Sequence, residues 1–432
     1  MEKIVFDTLQ ETLFHDRLDN GLNVFILPKR GFSKTYVTFT TKYGSIDRTF
    51  IPRGKNDFVT VPDGIAHFLE HKMFDKKEGD VFQKFGMLGA SANAFTSFTR
   101  TSYLFSTTEN LYENTKVLLD FVQEPYFTKE KVDKEKGIIA QEITMYDDNP
   151  DWRNYFGTIE SLYKEHPVRI DIAGTVETIE EITAEHLYEC YETFYHPSNM
   201  AVFVIGAVDP DEMMTFIKKD QDGKEFSEPE EVSRDFPEEP LEAFKKKTVL
   251  EMDVQRPKFN YGMKCNRTNL TGDEMLVQDL SIHLVLDILF GRTSEFYTQA
   301  YKDHLIDETY NYDFTQEKGF GFAMVESDTE NPSALEAAIR KTIQSQAGNW
   351  TVTEADLNRA RKRRIGQFMR SLNSIEFISN QFMQYNFNDM NLFDVVPTLE
   401  KLTIDDLKDA FTTISDEASH TVMEIIPGGK EG

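Results

Sequence analysis

The chain has 432 residues, 40% of them hydrophobic, which is enough for two or more domains with cores of their own. Its 74 acidic and 47 basic side chains leave a net charge of −27, which argues against nucleic acid or an anionic membrane as partner and fits the acidic surface of a bacterial-type cytosolic protein. Two cysteines, Cys190 and Cys265, give no disulfide framework; no apolar run is long enough for a transmembrane helix, and the opening Met1-Glu-Lys-Ile-Val-Phe-Asp7 lacks the basic start and apolar core of a signal peptide, so the expected location is cytoplasmic.

In chain order, Leu18-Asp-Asn-Gly-Leu-Asn-Val24 reads as a turn feeding a strand, and Thr35-Tyr-Val-Thr-Phe-Thr-Thr41 alternates with period two. Asp63 to Phe74 contains His67-Phe-Leu-Glu-His71, the H-x-x-E-H order of an inverted zinc-peptidase motif. On a helix, residues at i, i+3 and i+4 share a face, so His67 and His71 can aim at one point with Glu70 beside them. Two imidazoles and a carboxylate that is not itself a ligand are what a hydrolytic zinc site draws from its first helix. The competing reading is an amphipathic helix with two half-exposed histidines. Against it, Ile65, Phe68, Leu69 and Met73 predict a buried helix, where polar side chains need partners.

Further along, Asn110 to Gln123 is amphipathic through Leu111, Val117, Leu118 and Phe121. Lys131 to Met145 follows, with Glu135 and Glu142 seven apart on one face and an apolar stripe of Val132, Ile138, Ile139 and Ile143. Alone this is an ordinary charged helix; joined to the motif helix it suggests a site of two histidines and a glutamate, with water in the fourth position.

At this point the sequence resembles the pitrilysin family of inverted zincins, which includes insulin-degrading enzyme and mitochondrial processing peptidase, in a half-length bacterial form. In that family two acidic residues seven apart follow the motif helix; the second is a ligand and the first supports it. The resemblance thus implies Zn2+ held by His67, His71 and Glu142, with Glu135 outside the ligand set. It implies Glu70 as general base for a zinc-bound water and an endopeptidase acting on peptides or unstructured segments. Gly89-Ala-Ser-Ala-Asn-Ala-Phe-Thr-Ser97 resembles the family's edge strand, implying that Ala92, Asn93 and Ala94 bind substrate backbone. Gly44-Ser-Ile-Asp47 and Tyr195 to Pro210 also fall where the family places similar segments. The implied fold is α+β, with two homologous domains of the processing-peptidase (LuxS-like) type, each a mostly antiparallel sheet backed by helices.

Residues 221–244 are polar and proline-rich and read as an acidic linker between a zinc-binding domain, 1–220, and a homologous non-catalytic domain, 245–432. The second domain opens on the strand-like Lys247 to Val254. Within it, Ser281 to Phe290 lies over Ile65 to Phe74, and Leu357 to Gln367 lies loosely over the Glu135–Glu142 helix. The chemistry is lost there: Leu286 and Asp287 replace Glu70 and His71, and Gln367 stands for Glu142. His283 reads as a lone structural histidine, and the run Arg359 to Arg364 as a solvated helix face.

Many relatives carry an Arg and a Tyr in the second domain that hold the substrate carbonyl. Here Tyr301 falls at the Arg position, and Tyr310 and Tyr312 are the candidates for the Tyr, at an altered spacing. The resemblance therefore implies a dimer, either of two such chains or of this chain with a related half-size chain that brings Arg and Tyr. A zinc-binding subunit that is silent or weakly active alone is the alternative to a self-sufficient peptidase.

Overall fold

A computed structural model describes residues 1–428 as two α+β units, each built on a mixed, mainly antiparallel sheet. The first sheet has seven strands in the order Glu2–Phe6, Glu11–Arg17, Asn23–Pro28, Met200–Gly206, Thr35–Thr41, Thr101–Thr107 and Ser91–Thr96. Only Asn23–Pro28 and Met200–Gly206 pair parallel. The second sheet has five, in the order Lys247–Met252, His420–Pro427, Lys258–Lys264, Phe320–Asp328 and Asn311–Glu317, again with its first pair parallel. These five repeat the order and directions of the last five of the first sheet, which makes the internal repeat explicit. Among the described residues no helix is long and apolar enough to cross a membrane.

Alternation places Val24, Ile26, Val37, Phe39, Tyr103, Phe105, Val202 and Val204 on one face of the first sheet, in a core they share with Phe68 and Leu69 of the motif helix, Ile65–Met73. That helix begins at Gly64, whose φ of 86° is left-handed; a Cβ there would lie 2.3 Å from the Ala173 carbonyl oxygen. Only glycine fits that turn.

The two units do not follow the contiguous boundaries expected from the sequence. The first comprises Met1–Ile143, Ile170–Phe236 and Ser371–Phe387; the second comprises Thr144–Arg169, Pro237–Arg370 and the chain from Asn388 onward. Each half of the sequence thus lends one helix to the other unit. Ile375–Phe387 covers the outer face of the first sheet, with the Phe382 ring 5.0 Å from Phe25 and 4.7 Å from Phe203, and Ser379 hydrogen-bonded to Thr38 at 3.2 Å. Pro150–Leu162 does the same for the second sheet, and it packs so closely that a Cβ on Gly262 would meet Thr158 at 2.5 Å. Amphipathicity tells a helix to cover a sheet but not which one, so the sequence carried no sign of the exchange. Nor is the segment 221–244 free of tertiary structure. Arg234 donates to buried Asp47 at 2.6 Å and to the Lys42 carbonyl in the first unit, while Glu239 pairs with Lys264 at 2.7 Å in the second.

Candidate metal centre

The motif helix presents its polar residues on one edge and buries the rest, including Phe68 and Leu69. The neighbouring helix, Lys129–Asp147, is anchored by buried Val132, Ile139 and Ile143. Ile138, expected in that apolar stripe, is instead 48% exposed, because three residues already span the contact. The two helices bring His67, His71 and Glu142 together, with one donor atom from each within 4.8 Å of the others. His67 Nε2 lies 3.7 Å from Glu142 Oε1, and His71 Nε2 lies 3.6 Å from Glu142 Oε2. These separations are too long for hydrogen bonds. They run to the two different oxygens of Glu142, and the three side chains converge as ligands of one ion would. The donor set therefore fits zinc: two imidazoles and one carboxylate. Burial, with the neighbouring His71 charge, pushes His67 down to about 3, which leaves a neutral imidazole of the kind a metal requires.

The neighbours of this triad have distinct partners. Glu135 Oε1 lies 3.2 Å from His71 Nδ1, on the ring edge opposite the nitrogen that faces Glu142. Burial opposes a charge on His71, yet the Glu135 hydrogen bond and the carboxylates of Glu70 and Glu142 raise it overall. Glu70 is buried and accepts a 2.6 Å hydrogen bond from Thr96 Oγ1. Burial pushes its carboxyl up, and the Thr96 bond opposes that shift.

A cleft of about 480 Å3 opens beside these groups, lined by Glu70, His71, Phe74, Phe82, Asn93 and Ala94 among others. Asn93 and Ala94 belong to Ser91–Thr96, the outermost strand of its sheet, which pairs on one side only, with Thr101–Thr107. Ala92 sits in the same strand but is absent from the cleft lining, and its side chain packs on the core. The Asn93 side chain accepts from the Ala94 N–H at 2.9 Å.

Two close neighbours escaped the sequence reading. Thr96 could be found only from the folded strand, since it is distant in sequence from Glu70. Lys72 follows His71 directly, and it is 1% exposed, held by Glu135 at 3.0 Å and Asp75 at 2.9 Å.

This geometry agrees with the sequence comparisons. The zinc protease YmfH of Bacillus subtilis (strain 168), itself uncharacterized, is 52% identical over 99% of both chains. The chain belongs to the M16 family of peptidases. The family's insulinase model (peptidase family M16) matches residues 61–176, and its peptidase M16 inactive domain model matches 181–364. An M16-like peptidase structure from Alicyclobacillus acidocaldarius superposes with a TM-score of 0.93 at 38% identity, covering 97% of this chain and 99% of that one. A protease from Helicobacter pylori shares the fold, with a TM-score of 0.80 at 21% identity over 96% of this chain and 99% of its own.

In the second unit, the helix Gly272–Leu289 occupies the place of the motif helix and holds no metal triad among the described residues. Asp287, where the repeat puts His71, is buried; it accepts from Tyr312 at 2.7 Å and lies 3.9 Å from Arg364. His283, at the His67 position, stands 3.5 Å from both an Asp279 oxygen and an Asp313 oxygen. Burial and Arg364 oppose its charge, but the two aspartates carry it up to about 9. Arg364 is therefore part of an ion-pair cluster rather than simply a solvated face. Tyr310 donates to the Phe290 carbonyl at 2.7 Å, and Tyr301 is 58% exposed.

Proposed function

We propose that this chain is a zinc-dependent endopeptidase that cuts peptides or unstructured segments. The observation that carries the reading is the convergence of His67, His71 and Glu142 next to buried Glu70, with Glu70 and His71 lining a cleft bordered by an open strand edge. His67, His71 and Glu142 would hold the ion, which when bound supplies Lewis-acid polarisation of the scissile carbonyl. Glu70 would accept a proton from the water as the new C–O bond forms and then pass it to the amine nitrogen as the C–N bond breaks. Glu135 fixes the His71 ring from behind. Ser91–Thr96 takes the substrate as an added strand along its open edge at Ala92, Asn93 and Ala94, a mode that reads backbone and tolerates many side chains.

The test combines zinc stoichiometry with a cleavage assay on short flexible peptides. One zinc per chain, lost on His67→Ala, together with peptide cleavage abolished in Glu70→Gln, is the expected result. Cleavage that persists undiminished in Glu70→Gln removes Glu70 from its role.

A second reading concerns partnership. Exposed Tyr301 stands where relatives carry the Arg, and the Tyr310 and Tyr312 hydroxyls are engaged within their own unit. A missing donor on the carbonyl side costs about 10²–10³-fold in rate. On this reading the chain works as a dimer, its full activity appearing with a related half-size chain that brings Arg and Tyr. Peptide cleavage by the purified chain, alone and mixed with such a chain, decides between them.

A further inference from the structure

We infer that Lys72 is a positioning residue for the metal centre, acting through Glu135 on His71; this rests on the zinc-site reading above. Lys72 is 1% exposed on this helix, and a methionine would fill the same space without the cost of desolvating a charge. A buried lysine at this place is therefore poorly explained by burial alone. Its contacts explain it better. Lys72 Nζ donates to Glu135 Oε2 at 3.0 Å and to Asp75 Oδ2 at 2.9 Å, so carboxylates flank the ammonium on two sides. Asp75 is in turn tied to Lys131 on the Glu135 helix. The other oxygen of Glu135 meets His71 Nδ1 at 3.2 Å, and the far nitrogen of that ring faces Glu142.

Both oxygens of Glu135 are thus committed. With Lys72 holding Oε2, the carboxylate cannot rotate away from the imidazole, and Oε1 stays where His71 Nδ1–H can donate to it. That bond sets the tautomer that leaves Nε2 with its lone pair towards the metal, and it sets the plane of the ring. Lys72 touches neither metal nor substrate. It locks the group that orients a ligand, and such outer partners typically change metal affinity by about 10–100-fold when lost.

The experiment measures zinc dissociation constants of the full-length protein by competition with a chromophoric chelator. It compares wild type, Lys72→Met, Glu135→Gln and the double variant, with apo-form melting curves as the check on folding. Each single variant should bind zinc about 10–100-fold more weakly, and the double variant no more weakly than Glu135→Gln alone, because the lysine acts through the glutamate. The cobalt-loaded Lys72→Met protein should show an altered visible spectrum, which a loss of stability alone would not produce. Equal or tighter zinc binding by Lys72→Met, or losses that multiply in the double variant, overturns the inference. Should Lys72→Met fail to fold, Lys72→Gln replaces it, since its amide keeps a polar group but is too short to hold Glu135; wild-type affinity there overturns the inference equally. A wild-type protein that binds no zinc sinks the site reading itself, a result distinct from the others.

Discussion

The motif helix of the first unit and its counterpart in the second occupy the same place in the same strand order, yet they bury opposite kinds of polar cluster. In the first, His67, His71 and Glu142 face one another at separations too long for hydrogen bonds and suited to a shared cation. In the second, Asp287 accepts from Tyr312 at 2.7 Å with Arg364 3.9 Å from its other oxygen, and His283 lies 3.5 Å from carboxylate oxygens of Asp279 and Asp313, so the protein's own opposite charges surround the polar edge. A helix of this fold can therefore carry a buried polar edge in two ways, by leaving room for an ion or by supplying its own counter-charges. Arg364 and His283 do in the second unit what an ion would do in the first.

The largest expected effect bears on chemistry. Glu70→Gln should lower peptidase turnover by about 10²–10⁴-fold while zinc content stays at the wild-type level, and His283→Gln in the other unit should leave turnover unchanged. An equal loss in both variants would mean that the units share the chemistry and that the comparison misassigns it.

Next comes packing. Phe68 and Leu284 are both fully buried on the two helices. Phe68→Ala should destabilise by about 3–5 kcal/mol and Leu284→Ala by about 2–5 kcal/mol in denaturant melts. Only the first should also weaken zinc binding, because only that helix carries the proposed ligands. Matching losses of zinc affinity would show that the second helix supports the metal centre too.

A smaller effect follows from Asp287→Asn. It leaves Arg364 without its buried counter-charge and should cost about 1–3 kcal/mol of stability, with zinc affinity unaltered. A neutral outcome would show the ion cluster to be dispensable.

The pH dependence is comparable or smaller. His283 titrates at about 9 when folded against an ordinary 6.5. A raised folded value means that its stabilisation is complete below about pH 6.5 and is lost as pH rises through about 9, a change of at most about 3 kcal/mol. Melting temperature measured from pH 6 to pH 10 should fall more steeply in wild type than in His283→Gln. Identical slopes would remove the aspartates as the source of the shift.

The site was largely legible because the i, i+4 histidine spacing is a local property of one helix, and the five-residue motif states it outright. Glu142 needed the family resemblance, since nothing in a charged helix says which carboxylate turns inward. Thr96 stayed hidden because its contact with Glu70 exists only after the strand is placed. Lys72 was readable in principle, as a lysine flanked by His71 and Met73 on a buried helix, and its significance came only with the distance to Glu135. For the fold, the repeat was visible in the alignment of Ile65–Phe74 with Ser281–Phe290, and the strand order confirms it. The exchange of Pro150–Leu162 and Ile375–Phe387 was not, because a helix's apolar stripe carries no address.

That exchange has a consequence for how the molecule comes into being. On the ribosome, the face of the first sheet around Phe25 and Phe203 is made early, but the helix that seals it arrives only when residue 387 has been synthesised. The opposite face, which the motif helix covers, draws its core only from residues up to Val232, so it does not wait for that late helix. The first unit is therefore completed in two stages, the motif-helix face from the first part of the sequence and the outer face only once nearly the whole chain has emerged.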